Sequence, residues 1–105
     1  MSNSLSYFKG RSKSKHMKCN LDQEWLNEKY NLKNCEISGI AFNPTMGPWH
    51  TLSIDRIDNK QGYTKQNCKA VLLGLNAGKG EYCTYEELYN IAKSFIAKYE
   101  KDHAI

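Results

Sequence analysis

The chain has 105 residues, of which 40% are hydrophobic and 11% aromatic, and its formal net charge at pH 7 is +4. This length supports one small domain, and this composition excludes a wholly disordered chain. No apolar run approaches the ~20 residues of a membrane helix, and the polar, basic start of the chain does not resemble a secretory signal. We therefore expect a cytoplasmic protein, in a bacterium or a phage-infected cell, that has no membrane partner.

The positive charge is concentrated near the N-terminus. Five of the 15 basic residues precede the first acidic residue, Asp22, and they are Lys9, Arg11, Lys13, Lys15 and Lys18. We therefore divide the chain into a basic N-terminal arm, residues 1–20, and a single domain, residues 21–105. Such an arm suits nucleic acid, because its side chains contact phosphates and release counterions. A solvated tail is the alternative, and a ragged helix or a partly disordered segment both fit its residues.

The four cysteines are far apart in the sequence, and none forms a C-x-x-C pair; they are Cys19, Cys35, Cys68 and Cys83. We expect reduced thiols, because disulfides belong mainly to secreted proteins. A zinc site or a thiol-based structural module is the alternative, although paired cysteines are the usual zinc ligands.

The first half of the chain predicts a short helix followed by irregular structure. Asp22 is a suitable N-cap for a helix whose apolar side includes Trp25, Leu26 and Tyr30. Residues 35–42, C-E-I-S-G-I-A-F, indicate a strand or a small hairpin. Residues 43–50 contain two prolines and a glycine, which is typical of a loop.

The second half predicts two strands and two helices. Residues 51–57, T-L-S-I-D-R-I, form the clearest strand, a polar loop follows over 58–67, and 68–73 indicate a second strand. A short helix is predicted next, over 73–80, although its glycines have low helix propensity. Thr84 and Glu87 form a capping box for a last helix. We expect its apolar stripe to lie in the core, and the stripe comprises Leu88, Ile91, Ala92, Phe95, Ile96 and Tyr99.

The centre of the chain resembles the HNH (ββα-metal, His-Me finger) nucleases. The resemblance rests on D-R-I-D at the end of the first strand, G-Y in the loop, Asn67, and N-A-G-K in the following helix. It extends over roughly residues 9–90 to a subfamily of small phage and bacterial HNH proteins with a basic arm, E-W-L and C-x-(T/S)-G. The fold it implies is α+β: a small ββα-metal core with an N-terminal helix or basic arm and a C-terminal amphipathic helix.

The resemblance also implies the roles of the site residues. Asp55 and Asn76 would hold a divalent metal, Mg²⁺ or Mn²⁺, and a carboxylate is the hard oxygen ligand that such ions prefer. Asn67 would brace the loop, where Gly62 is expected to supply a positive φ. Lys79 would contact a phosphate, although a solvated helix lysine is the alternative, just as Asp55 could be a turn carboxylate.

Arg56 departs from the family pattern, because this position usually holds the histidine that takes a proton from the attacking water. Arginine stays protonated at neutral pH. Arg56 could instead clamp the scissile phosphate, with metal-ionised water as the base. His50 does not replace the missing histidine, because its odd offset from Asp55 points it to the opposite face of a continuous strand.

Two functions follow from these residues. The first is a metal-dependent endonuclease that hydrolyses phosphodiester bonds in double-stranded DNA, with Asp55, Arg56 and Asn67 in the catalytic centre. The second is an HNH-fold protein that binds DNA or another partner without cutting, which the arginine at position 56 favours.

Overall fold

The computed structural model describes residues 3–105, so the first two residues of the predicted arm lie outside it. The helices within these residues are α1 (Leu5–Ser14), α2 (Gln23–Tyr30), α3 (Leu73–Lys79) and α4 (Tyr85–Asp102). The strands are β1 (Leu52–Arg56) and β2 (Cys68–Leu72), which form an antiparallel sheet with Leu52 opposite Leu72 and Arg56 opposite Cys68. Helix α3 begins directly where β2 ends. The predicted order of strand, loop, strand and helix is thus confirmed, and it gives an α+β fold.

The core lies between the sheet and the N-terminal helices. Phe8, Leu26 and Ala70 are almost completely buried, and they pack with Ile54 and Tyr63 in one apolar cluster. In β1, Ile54 is followed by two charged residues that are also buried, Asp55 and Arg56. A short strand that carries two buried charges needs partners for both of them, and these partners form the site described below.

Helix α1 belongs to the folded body and is not a free arm. Ser4 caps its start, and Phe8 is 1% exposed, with its ring centroid 5.1 Å from that of Tyr63. The helical alternative for this segment is therefore the one that the structure adopts.

The caps predicted for two helices are present. The Asp22 side chain accepts a hydrogen bond from the Trp25 amide at the start of α2. Thr84 and Glu87 form the reciprocal capping box of α4, with both hydrogen bonds at 3.0 Å. Residues 35–42 form a hairpin-like turn closed by the Cys35 amide on the Ile40 carbonyl, without a regular strand. Residues 43–50 contain two short 3-10 turns, Pro44–Met46 and Pro48–His50.

The apolar stripe of α4 is not in the core, which corrects the expectation from the sequence. Ile91, Phe95, Ile96 and Tyr99 are 62%, 63%, 52% and 44% exposed. Leu88 and Ala92 are half-buried, and every residue from Lys93 onward is exposed. The reason is geometric, because the helix runs past the edge of the body: the molecule measures 48 × 29 × 18 Å. No helix within residues 3–105 has both the length and the apolar character needed to span a membrane.

Candidate functional site

A cleft of about 210 Å³ lies where α1, the end of β1 and α3 meet. Three of the residues that line it were expected in the site from the sequence: Asp55, Arg56 and Asn76. A fourth lining residue, Arg11, adds a positive charge. The cleft forms there because the buried end of β1 lies beside both helices. The strand-to-helix connection thus brings Asp55 and Asn76, 21 positions apart in the sequence, to one cavity.

Asp55 is 6% exposed, and both of its carboxylate oxygens have partners. Oδ1 lies 3.3 Å from the Lys79 ammonium, and Oδ2 accepts a 2.6 Å hydrogen bond from the Tyr85 hydroxyl. Burial raises the pKa of Tyr85, and the neighbouring Asp55 charge raises it further, so the phenol remains a donor at physiological pH. Asp55 is therefore held in one orientation by two donors, while it still lines the cleft.

Lys79 has a different position from the one expected for a phosphate contact. Its side chain is completely buried, and its ammonium lies near three oxygens: Asp55 Oδ1, the Arg56 carbonyl at 3.0 Å and Asn59 Oδ1 at 2.7 Å. This corrects the sequence expectation, because an enclosed ammonium with three partners does not face a ligand. Lys79 instead ties α3 to the end of β1 and to the loop beyond it.

Asn76 lines the cleft from α3 and is oriented by β1. Its Nδ2 donates a 2.7 Å hydrogen bond to Ser53 Oγ. Within residues 3–105 the structure shows no hydrogen bond to Asn76 Oδ1, so the amide oxygen is available to a ligand in the cleft.

Asn67 braces the loop over residues 58–67, as expected from the sequence. Its Oδ1 accepts from the Asp58 amide at 2.9 Å, and its Nδ2 donates to the carbonyls of Asp58 and Gly62, both at 3.0 Å. Gly62 does not have the positive φ expected of it. It is required for a different reason, because a Cβ at this position would collide with the Lys18 backbone.

Arg56 is 5% exposed and the loop over residues 58–67 folds around it. Its Nη1 donates to the carbonyls of Asn59 and Gln61, both at 3.2 Å, and its guanidinium lies 5.1 Å from the centre of the Tyr63 ring. Within residues 3–105 the recorded hydrogen bonds of Arg56 all come from Nη1. Nε and Nη2 make no hydrogen bond to these residues, and Arg56 lines the cleft.

Sequence reasoning missed three members of this arrangement: Arg11 as a cleft residue, Asn59 and Tyr85. Arg11 Nε donates to the Tyr63 hydroxyl at 2.8 Å, and its Nη2 forms a 2.6 Å ion pair with Glu81. The basic character of Arg11 was visible in the sequence, but its place beside the cleft depends on the packing of α1. Tyr85 directly follows the capping threonine of α4, and no local pattern distinguishes it from a surface tyrosine.

None of the histidines lines the cleft. His50 lies in the second 3-10 turn, His16 has a positive φ just after α1, and His103 stacks on Tyr99 beyond α4. His50 precedes the start of β1, so the argument from a continuous strand does not apply to it.

The donor atoms in the cleft fit a weakly held, hydrated divalent ion. Asp55 and Asn76 provide one carboxylate and one amide oxygen, and Mg²⁺ retains several waters when few protein ligands are present. The Lys79 charge beside Asp55 opposes tight binding. Within residues 3–105 no three His, Cys, Asp or Glu side chains are grouped to hold a metal, and the four cysteines are free.

The fold resembles that of a solved DNA-cleaving enzyme. The structure of PacI, described as a rare-cutting HNH restriction endonuclease that perturbs DNA, superposes with a TM-score of 0.60, covering 95% of this chain and 78% of that one at 19% sequence identity. No protein-family model matches the sequence, and no curated protein matches it significantly. At this level of identity the likeness concerns the fold alone. The protein therefore has a small α+β, HNH-like ββα fold.

Proposed function

We propose that this protein is a metal-dependent HNH-type endonuclease that hydrolyses phosphodiester bonds in double-stranded DNA. The proposal rests on one observation: Asp55, Arg56 and Asn76 line the same cleft within an HNH-like fold. The site contains the two kinds of group that phosphodiester hydrolysis needs: oxygen ligands for a cation and a cationic side chain for the phosphate.

The N-terminal helix supplies the affinity for DNA. Lys9, Lys13 and Lys18 are exposed on or just after α1, so they can neutralise phosphates and release counterions. Lys15 and Arg11 are half-buried and share Glu81 as an ionic partner, at 3.1 Å and 2.6 Å. Arg11 and its partner Glu81 both line the cleft, so α1 reaches the edge of the site.

Asp55 and Asn76 would hold Mg²⁺ or Mn²⁺, and the chemistry of such an ion is to stabilise negative charge on the leaving oxygen and to activate water. Arg56 contributes through Nε and Nη2, which donate hydrogen bonds to the non-bridging oxygens of the scissile phosphate. These hydrogen bonds strengthen as negative charge develops on the phosphate. An arginine side chain does not act as a base near neutral pH, and burial together with the neighbouring Asp55 raises the pKa of Tyr85, so its phenol keeps its proton. The chain thus supplies ligands that position a metal ion and a positive charge for the phosphate. The cleft does not supply the histidine base of the common family form.

Three residues act as positioning residues. Lys79 and Tyr85 orient the Asp55 carboxylate through one oxygen each. Asn67 fixes the loop that surrounds Arg56. Such support matters because an error of about 1 Å in a catalytic group can reduce the rate ~100-fold.

Plasmid nicking tests the proposal. The wild-type protein is expected to convert supercoiled DNA to open circles with Mg²⁺ or Mn²⁺ and to lose this activity with a chelator. Asp55→Asn keeps the size of the side chain but removes its charge. We expect it to reduce nicking at least ~100-fold, the scale observed when one group that stabilises transition-state charge is removed.

Asp58→Asn is the matched control, since it makes the same change three residues away at an exposed turn. It should nick like the wild type. The enzyme proposal fails if the wild type makes no nicks with either ion, or if Asp55→Asn and Asp58→Asn nick equally.

The second candidate is a DNA-binding protein that does not cut. The full engagement of both Asp55 oxygens and the absence of a histidine from the cleft favour it. Binding that weakens steeply with salt, together with no metal-dependent cleavage, would support this candidate over the first.

A further inference from the structure

A second cavity, of about 340 Å³, lies where the residues just after α1 meet the loop over residues 58–67, and we call it the basic pocket. Three of the side chains that line it are basic: His16, Lys18 and Lys60. The other lining residues are uncharged, so within residues 3–105 no acidic side chain lines this cavity. The cleft differs in this respect, because two acidic residues line it. The basic pocket therefore has the electrostatic character of an anion site.

The lysines of the basic pocket are not neutralised by the protein. Lys18 and Lys60 are both exposed, and in the described part of the chain neither of them forms an ion pair. Asp58, the acidic residue nearest to Lys60 in the sequence, accepts a hydrogen bond from the Lys60 amide at 2.9 Å and not from its ammonium. By contrast, Arg11 and Lys15 on α1 share Glu81. The ammonium groups of the pocket are thus available to an anion from solution.

The basic pocket lies beside the proposed cleavage site, and Arg56 connects the two. Arg56 lines the cleft, while its Nη1 lies 2.9 Å from Met17 Sδ and donates to the Gln61 carbonyl at 3.2 Å. Met17 and Gln61 both line the basic pocket. A DNA strand carries one phosphate for about every 3.4 Å of helix axis. A strand with one phosphate at Arg56 therefore presents further phosphates in the neighbourhood of this pocket.

His16 occupies a backbone position that normally favours glycine. Its φ is 54°, its amide donates to the Lys13 carbonyl, and the Met17 amide donates to the Ser12 carbonyl. These two hydrogen bonds form a Schellman motif after the C-cap Lys15, with His16 at the left-handed position. Glycine adopts this conformation without steric cost, whereas a histidine has to place its Cβ there. The side chain of His16 therefore needs another reason, and it lines the basic pocket.

We propose that the basic pocket binds a backbone phosphate of DNA, one that flanks the scissile phosphate at Arg56. Lys18 neutralises this phosphate from the end of α1 and Lys60 from the loop. The His16 ring donates a hydrogen bond to it, which does not require a protonated ring, because neutral imidazole has one N–H. The proposal rests on the proposed function, since it takes DNA as the ligand of the cleft, and it adds His16 and Lys60 to the residues that hold the DNA.

The salt dependence of DNA binding tests whether the two lysines share one phosphate. Binding of the full chain to a short duplex is measured in EDTA, so that cleavage does not interfere. Each contacted phosphate contributes about 0.9 to the slope of log affinity against log salt concentration. The Lys18→Gln/Lys60→Gln double variant should lose about 0.9 of this slope, whereas two separate phosphates would lose about 1.8. Lys33→Gln is the matched control at an exposed lysine outside both cavities, and it should keep the wild-type slope.

His16→Gly tests the pocket without weakening the fold. Glycine suits the positive φ, so the Tm should stay the same or rise. The affinity for DNA should fall about 10-fold, as expected for the loss of one hydrogen bond to a charged group. Ala104→Gly is the matched control, because Ala104 has a φ of 53° in the corresponding motif after α4 and lines neither cavity. It should keep both the Tm and the affinity of the wild type.

The basic pocket and the nuclease proposal fail on different results. A wild type that binds DNA but makes no nicks contradicts the nuclease proposal alone, and one that shows no salt-dependent DNA binding contradicts both. If the wild type binds DNA and His16→Gly binds as tightly as Ala104→Gly, or the double variant loses about 1.8 of the slope, the shared phosphate site is wrong. Inorganic phosphate is titrated in parallel. If it binds the wild type but not the double variant, while both bind DNA equally, the pocket holds a free anion and the DNA proposal is overturned.

Discussion

At the residue scale, the Lys79 ammonium lies 3.3 Å from the carboxylate that the proposed chemistry depends on. Its side chain has no exposed surface, and it connects the end of β1, the following loop and α3. Its positive charge compensates the buried Asp55 carboxylate. The same charge opposes a second cation nearby, so we expect metal binding to be weak and to need millimolar Mg²⁺ or Mn²⁺.

Replacing Lys79 by methionine distinguishes a structural lysine from a phosphate contact. Lys79→Met should lower the free energy of unfolding by about 3–5 kcal/mol, because it leaves the buried Asp55 charge without its ionic partner. Urea unfolding measures this loss, with Lys33→Met at an exposed position as the control. If Lys79→Met is as stable as the control and instead lowers the salt dependence of DNA binding by about one phosphate contact, the buried role assigned here is wrong.

The resemblance to the HNH nucleases named Asp55, Asn67 and Asn76, and the order of elements along the chain agrees with the places it gave them. Asp55 lies one residue before the end of β1, Asn67 directly precedes β2, and Asn76 lies in the helix that follows β2. Lys79 was identified but given the wrong surroundings, since its burial depends on a loop residue, Asn59. The contact of Tyr85 with Asp55 depends on how α4 docks, which short-range patterns do not encode.

At the element scale, Glu36 connects α2 to the sheet. Its carboxylate accepts from Lys29 at 2.9 Å through both oxygens and from the Ala70 amide at 2.7 Å. Burial alone would raise the pKa of Glu36, but the Lys29 and Ala70 hydrogen bonds outweigh it and hold the pKa below its ordinary value. The contact thus anchors α2 on β2 through a charged group.

The lowered pKa of Glu36 predicts a pH-dependent contribution to stability. The contribution is complete above the ordinary glutamate pKa of about 4.3 and is lost as the pH falls through the lower folded-state pKa. Glu36→Gln should therefore cost about 1 kcal/mol at pH 7, and its difference from the wild type should shrink below about pH 4. Thermal unfolding across this range measures it, and the exposed Glu28→Gln serves as the control. A difference that grows in acid would contradict this assignment.

At the scale of the whole molecule, the sequence predicts the order of elements better than their packing. The capping residues and the strand patterns locate α2, β1, β2 and α4, because these signals are local. The apolar period of α4 also predicts correctly that one side of the helix is apolar. The apolar period does not say what covers the apolar side of α4. Within residues 3–105 no element covers the part of this side that lies beyond Lys93.

The organisation of the molecule as a whole separates two surfaces. The cleft opens among α1, β1 and α3, whereas the exposed part of α4 extends from the body. Tyr85, at the start of α4, reaches Asp55, so the helix that bears the apolar face is also anchored at the site.

A manganese-soaked crystal examined by anomalous scattering tests the central claim most directly, because it locates the ion without relying on activity. We predict an anomalous peak in the cleft at coordination distance, about 2.0–2.3 Å, from an Asp55 oxygen and from Asn76 Oδ1. A crystal soaked in millimolar Mn²⁺ with no peak at this position, and with Asp55 still bound to Lys79 and Tyr85 alone, would contradict the assignment of this cleft as a metal-dependent nuclease site.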